Sequence, residues 1–418
     1  MPEKTTVLVS GGGPAGIMLG LLLARAGIDV TVLEKHADFL RDFRGDTVHP
    51  STIRLLDELG LGEEFRTLPQ SRLTEIQFPD RDGTLVTVGD LKTLPAPYQY
   101  VAITPQWDFL SFLADAASRE PSFTLRMNTE VIAPIVEHDK VVGVRYRKRD
   151  GDGGEGEIRA ELTVSCEGRH SGLRRALGLT PHEYPVPFDV WWFRLPRPIH
   201  ERDRPMRVIP HFGDNEVMVA IIRKDYYQIA YLAQKGIDAQ LRAEGVERFR
   251  ERVARLAPQF ADRVDAIRTM DDVHVLDVKL NRLPRWYVNG LLLIGDAAHA
   301  MSPIGGVGIN LAIQDAVAAA TLLAKPLQRH NVTTRHLARV QRRRTLPTFV
   351  IQGLQRVLHR VVFVPTLDAK RPGPPRALLF LARHVPSFRR IPARLLGFGP
   401  RPEHAPAFAR PTRTPLSA

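Results

Sequence analysis

The first thirty-four residues constrain this chain more than any other stretch. Residues 6–9 form a short β-branched and apolar run that enters Gly11-Gly12-Gly13-Pro14-Ala15-Gly16. An apolar segment over 17–26 follows, then Gly27, then a second apolar run over 29–33 ending at Glu34. The periodicity predicts strand, glycine turn, helix and strand, closed by an acid about 20 residues beyond the glycines. Gly11 permits the turn, Gly13 lets backbone approach a pyrophosphate, and Gly16 lets helix and strand pack closely. Glu34 is placed to accept from ribose hydroxyls. The unit predicts an α/β chain with a dinucleotide on the first strand's carboxyl end.

A second constellation comes late. Residues 291–294 read as a short buried strand ending at Gly295-Asp296, where a tight turn offers a carboxylate. Beyond His299 come Pro303, Gly305, Gly306 and Gly308, then Ile309, Asn310 and an Ala-rich helix predicted over 309–324. Bare backbone before a helix N-terminus suits an anionic ligand that also carries hydroxyls, such as a nucleotide with a polyol chain. A third strand, predicted over 161–166, runs into Glu167-Gly168 and a basic helix. Cys166, at its end, reads as a small buried residue.

Between these turns lie further candidates. Arg44 can reach back to the pyrophosphate or the ring edge of the cofactor, and a plain surface arginine is the competing reading. Thr47 and His49 face the same pocket on this reading, with a satisfied structural histidine as the alternative for His49. Ser51 is a predicted N-cap for a helix over 51–59. Residues 76–88 predict a hairpin turned at Asp82-Gly83, and Gln106 opens a helix with its amide free for a ligand. From about 186 the texture changes to antiparallel strands over 190–195, 206–210, 216–222 and 226–233, rich in aromatic residues that supply a pocket wall.

Charge and cysteine usage remove other classes. The net charge is +12, but ten Lys/Arg against one acid, Glu403, fall from residue 370 onward, so much of the excess belongs to the C-terminal region. No zinc-ligand spacing or RNA-binding signature accompanies it, so no nucleic-acid partner or metal is expected. A single cysteine leaves no internal disulfide framework and fits a cytoplasmic location. No apolar run was found to reach the roughly 18 residues of a membrane span, so no integral membrane contact is expected. Basic helices are predicted over 335–344, 348–362 and 376–396, and residues 402–418 read as disordered.

Three motifs in this order resemble the single-component (class A) flavoprotein monooxygenases, the family of para-hydroxybenzoate hydroxylase and the aromatic polyketide hydroxylases. The resemblance covers roughly residues 5–325. It implies FAD held by Gly11, Gly13, Pro14, Ala15, Gly16, Glu34, Lys35, Arg44, Gln106, Val131, Gly295 and Asp296, with Pro303, Gly306, Gly308, Ile309 and Asn310 along the isoalloxazine. The family's middle motif is aspartate-glycine, serving both FAD and NAD(P)H; here it reads Glu167-Gly168, so the resemblance makes both cofactor-binding residues, and the longer side chain bears on the nicotinamide step more than on FAD binding. Arg44, Thr47, His49 and Pro303 are the flavin-edge or substrate contacts on this reading. The implied fold is α/β: a Rossmann-like FAD-binding domain, an antiparallel-sheet substrate domain and a helical C-terminal region. The implied boundaries are 1–72, 98–185 and 275–325 for FAD, 73–97 and 186–274 for substrate, 326–400 for the C-terminal helices, and a disordered tail over 401–418.

The implied chemistry is NADPH or NADH reducing FAD, O2 adding at flavin C4a, and the hydroperoxide giving one oxygen to an aromatic or polyketide-like substrate, in a monomer or homodimer. Two alternatives stay open at this point: an FAD-dependent reductase or dehydrogenase of the same fold, and a non-catalytic carrier like the Rab GDP-dissociation inhibitors, which share the first glycine turn.

Overall fold

The computed structural model describes residues 3–40, 46–80, 82–151, 153–201, 208–213, 215–223, 225–371 and 373–411. The chain opens with β1 (Glu3–Ser10), α1 (Pro14–Arg25) and β2 (Val30–Leu33). Helices α2 (Pro50–Glu58) and α3 (Gln106–Ser118) follow, then β3 (Phe123–Arg126), β4 (Thr129–Glu137), β5 (Lys140–Lys148) and β6 (Glu155–Ser165). A second group comprises β7 (Phe188–Pro196), β8 (Val208–Phe212), β9 (Val217–Ile222), β10 (Tyr226–Gln234), α4 (Asp238–Leu256) and β11 (His274–Leu276). The chain then returns through β12 (Tyr287–Val288) and β13 (Leu291–Leu293) to α5 (Gly308–Gln328), α6 (Thr334–Leu358), α7 (Arg376–His384) and α8 (Arg390–Gly397).

Five strands run parallel in the order β3-β2-β1-β6-β13. The β4–β5 hairpin extends the sheet from β6, and β12 closes the far edge antiparallel. The centre of this sheet is covered on both faces, which is why β1 reads as an unbroken apolar run rather than an alternation. Val7 and Val9 pack with α1, α3 and α5, while Leu8 packs on the other face with Leu33, Leu291 and Trp286. Helix α1 is buried from Ala15 through Ala24, so its apolar residues surround it instead of lining one stripe.

The second sheet, in the order β8-β9-β10-β7-β11, is antiparallel throughout. One face buries Trp191, Phe193 and Tyr231 under Phe249 of α4. The opposite face, with Phe188, Val190 and Leu232, packs against Ile304, Val362 and Phe363. That contact seats the aromatic sheet beside the glycine-rich loop before α5.

Several expectations are corrected. The helix after His49 starts at Pro50, so His49 takes the N-cap position and Ser51 instead accepts from Gln314 Nε2 at 3.3 Å. The helices expected over 335–344 and 348–362 are one helix, α6, running through Pro347. The segment from Ile304 to Gln328 is long and apolar enough to cross a membrane by length and composition, contrary to the reading of the sequence. It is a core helix, because α5 buries Ile313, Ala316, Val317 and Ala320 completely.

The largest correction is at the C-terminus. Residues 401–411 do not form the disordered tail expected over 401–418; residues 412–418 lie outside the described residues. Glu403, Ala405 and Ala409 are 3, 3 and 2 % exposed. Ala405 and Ala409 join the core around α1, and Arg25 donates to the carbonyls of both Leu59 and Ala409. The composition of this segment is loop-like, but tertiary contacts order it.

Candidate cofactor-binding and active site

Parallel register brings three turns to one edge. Ser10 pairs with Ser165, and Ile294 N donates to Ser165 O at 3.1 Å. The turns after β1, β6 and β13 therefore emerge side by side at the carboxyl ends of the strands, where open α/β sheets take their ligands.

In the first turn each glycine answers a different demand. Gly11 has φ +104°, and a Cβ there would lie 2.6 Å from the Cys166 carbonyl oxygen. A Cβ on Gly16 would lie 1.9 Å from Gly11 O, so only glycine lets α1 start this close to the turn. Gly13 is the reverse: a Cβ there would meet nothing within 4 Å, and no side chain caps α1. Its N-terminal N–H groups are left for a ligand. Glu34 is 2 % exposed and accepts from Gly12 N at 2.8 Å and His36 N at 3.1 Å, so it also braces the turn. Pro14 is half-buried, Ala15 is buried and Lys35 is exposed. Val131 is half-buried against the cluster of Leu8, Leu33 and Ala297.

The turn after β13 places Gly295 at φ +59°, with its N–H donating to Asp315 Oδ2 at 3.1 Å. Asp315, fully buried on α5, also accepts from His299 Nε2 at 2.6 Å and Arg344 Nε at 2.8 Å. Burial alone would raise its carboxyl, but His299 and Arg344 outweigh that and hold it below the usual aspartate range. Asp296 is half-buried, with Arg169 Nη2 3.7 Å away. Arg169 also donates to Asp277 O, and Arg174 donates to Ala297 O at 3.0 Å, tying the middle turn to this one.

The loop beyond it is held from beneath. Pro303 is half-buried at its entry; Gly305 and Gly306 have φ +81° and +61°. Thr47 Oγ1 donates to Gly306 O at 2.7 Å, so Thr47 clamps the loop. Asn310 is committed to the same segment: its Oδ1 accepts from His49 N at 2.9 Å and Thr52 Oγ1 at 2.7 Å. Ile309 is buried, whereas Gly308, first residue of α5, would meet nothing within 4 Å with an added Cβ. No side chain caps this N-terminus either.

His49 lies under the loop, 1 % exposed, donating from Nδ1 to Leu396 O at 2.7 Å. Burial pushes its pKa down to about 4, against the pull of the Leu396, Gly305 and Gly306 carbonyls. Its stabilising effect is complete above 6.5 and is lost as pH falls toward 4, because the unfolded chain then binds the extra proton. Unfolding free energy measured in urea should therefore fall by about 3 kcal/mol over that window through this group, and His49→Gln should remove that part of the slope.

Glu167 is held at the centre of the middle turn. Its Oε1 accepts from Ser10 Oγ at 2.8 Å, and its Oε2 from Ser165 Oγ, Ser171 Oγ and Leu173 N at 3.1, 2.5 and 3.1 Å. The extra methylene folds the carboxylate across the ends of β1 and β6 and onto the helix Gly172–Ala176. Gly168 beside it has φ +76° with open space at its Cβ position. Gln106 leaves its buried Oε1 without a partner at the start of α3. Arg44 lies outside the described residues.

A family model described as FAD binding domain matches residues 4–353. The chain belongs to this FAD-binding family. A 6-methylpretetramide 4-monooxygenase of Streptomyces rimosus is 35% identical over 396 residues, covering 94% of this chain and 92% of that protein. A para-nitrophenol 4-monooxygenase of Pseudomonas sp. is 27% identical, covering 74% of this chain and 75% of its own. The crystal structure of P. aeruginosa PqsL in complex with 2-aminobenzoylacetate superposes with TM-score 0.73 at 22% identity, over 88% of this chain and 99% of that one. The chain is an FAD-dependent monooxygenase with the para-hydroxybenzoate hydroxylase fold.

The residues present fit FAD. Two uncapped helix N-termini, open space over Gly13 and Gly308, and the orphaned Gln106 acceptor are what a long anionic, hydroxyl-bearing ligand would fill. The sequence gives no sign of the ion pair between buried Arg223 and half-buried Asp46, reinforced by Gln228, which joins the second sheet to the segment before Thr47. Burial raises the Asp46 carboxyl despite Arg223. Nothing local marks this pair, since its members are 177 residues apart.

Proposed function

We propose that this flavoprotein consumes NADPH or NADH and places one oxygen atom from O2 on an aromatic or polyketide-like substrate. The convergence of three turns at one sheet edge, beside an aromatic antiparallel sheet, carries the reading. Bound FAD supplies the redox chemistry, accepting hydride and activating O2 at its C4a position.

The chain's own residues bind and orient. Gly11, Gly13, Pro14, Ala15 and Gly16 receive the pyrophosphate on α1, and Glu34 accepts from ribose hydroxyls. Lys35 and Val131 border the adenosine end. Gln106 and Asp296 hold ribityl hydroxyls, and Gly295 sets the turn. Pro303, Gly306, Gly308 and Ile309 lie along the flavin ring, and the N-terminus of α5 favours negative charge at its pyrimidine edge. Thr47, His49 and Asn310 support that loop from below. Glu167 positions the middle turn, Gly168 leaves it open, and Arg44 is assigned to the ring edge or pyrophosphate. The FAD domain comprises 1–72, 98–185 and 275–325, and the substrate domain 73–97 and 186–274. Docking of the aromatic sheet on Ile304 supports a pocket between them that excludes water.

The purified protein should be yellow, with two flavin absorption bands, and should consume O2 as it oxidises NAD(P)H with phenolic or polyketide substrates. Bound flavin with no O2 uptake across a panel of such phenols would point to a reductase. A protein that stays colourless after added FAD would sink the reading.

A further inference from the structure

The segment 401–411 lies against α1 and α6, and through Arg344 of α6 it is linked to α5, the second helix whose N-terminus faces the proposed cofactor path. On α1 it is fastened at the far end, where Arg25 Nη1 donates to Ala409 O at 2.9 Å. Glu58, at the end of α2, accepts from Ala405 N at 2.7 Å and His404 Nδ1 at 2.6 Å. Toward α5 the contact is ionic and buried. Glu403, 3 % exposed, accepts from Arg343 Nη2 at 2.6 Å and from Arg344 Nη1 at 3.4 Å. Arg344 is 0 % exposed and turns its Nε to Asp315, which in turn accepts the Gly295 N–H. A chain of buried charge thus runs from the C-terminal strap to the turn whose φ of +59° orients Asp296.

The alternation of signs explains why the strap matters. Arg344 lies between two carboxylates, and its Nη2 has no hydrogen-bond partner. With Glu403 present the guanidinium is held from both ends, and its Nε is aimed at Asp315. With that charge gone, Arg344 keeps Asp315 at one end and only the Arg401 carbonyl, 3.4 Å from its Nη1, at the other. The guanidinium is then free to rotate away, loosening the acceptor that fixes Gly295.

We propose that the strap is part of the cofactor-binding machinery, with Glu403 a positioning residue that acts through Arg344 and Asp315 on the Gly295 turn. This rests on the reading that Gly295 and Asp296 hold FAD.

The test titrates FAD into full-length apo-protein, following flavin fluorescence, with melting temperature measured alongside. Glu403→Gln should weaken FAD binding about tenfold. Arg343→Met breaks only the outer ion pair and should lower the melting temperature comparably, yet leave FAD affinity within about twofold. Glu403→Asp, which keeps the charge, should recover part of the loss. It carries the decision if Glu403→Gln does not accumulate, a loss of about threefold supporting the proposal and parental affinity overturning it. Equal losses of FAD affinity in Glu403→Gln and Arg343→Met, or none in Glu403→Gln, would reduce the strap to a fastening and overturn the proposal. Asp296→Ala belongs in the same series. Parental FAD affinity there would mean that the site reading has failed, whereas weakened binding in Asp296→Ala beside an unaffected Glu403→Gln would remove the strap proposal alone.

Discussion

Gly13→Ala should leave the apo-protein folded, with its melting temperature within about 3 °C of the parent, yet weaken FAD binding at least about a hundredfold. The fold has no reason to resist the methyl group. Gly13 has φ −77° and ψ −174°, an extended conformation open to alanine, and the new Cβ would meet nothing within 4 Å. That open space is where a pyrophosphate must come close to reach the N–H groups of α1. A methyl there holds the phosphate away from those donors. Gly16→Ala is the instructive contrast. Its Cβ would lie 1.9 Å from the Gly11 carbonyl, so the turn itself must shift, at a cost of about 3 kcal/mol in the apo-protein. Urea melts and FAD titrations of the two variants separate ligand space from packing space. Parental affinity in Gly13→Ala would place the pyrophosphate somewhere other than the N-terminus of α1.

Arg344→Met should produce the largest loss of stability of any single side-chain change at this site, about 3–5 kcal/mol. Arg344 and Asp315 are 0 % exposed and Glu403 3 %, so removing the arginine takes a counter-charge from two carboxylates that water cannot solvate, leaving Glu403 to Arg343 and Asp315 to His299. His299 remains hydrogen-bonded to Asp315, its ring against Trp286 with centroids 4.7 Å apart. Methionine fills similar volume, so the loss measures charge rather than a cavity. Adding Asp315→Asn and Glu403→Gln to Arg344→Met should recover a substantial part of the stability, because the buried charges that lost a partner go with them. A urea-unfolding free energy for Arg344→Met within about 1 kcal/mol of the parent would show that the ladder is solvated in solution.

The strap proposal and these two variants meet at one point. The same Asp315 that accepts from Gly295 is the innermost rung of the ladder anchored by Glu403. Cofactor geometry and C-terminal docking are therefore coupled through α5. Packing sets the register of that helix, and the buried Asp315 carboxylate adds direction that packing lacks.

What the sequence by itself determined is local in origin. The first strand, glycine turn, helix and acid follow from periodicity and from steric demands within thirty-four residues. The turn at Gly295 and the helix beyond it follow from a short apolar run and a cluster of glycines in the same way. Family resemblance added the cofactor and the chemistry. Tertiary structure alone decided the use of side chains whose partners are remote. Glu167 reads as a ligand to cofactor, yet the structure commits its carboxylate to Ser10, 157 residues earlier, and to two nearby serines. Asn310 reads as a loop contact with flavin, and its amide is bound to the segment of Thr47, His49 and Thr52. Residues 401–411 read as disordered because proline, small and charged residues have no periodicity. They are ordered by one carboxylate that finds two arginines 60 and 59 positions back and by alanines small enough to enter the core around α1. Periodicity reports which face of an element is apolar. Where a buried charge finds its counter-charge is a property of the assembled sheet and helices, because only packing brings such distant groups within hydrogen-bonding range and removes the water that would otherwise satisfy them.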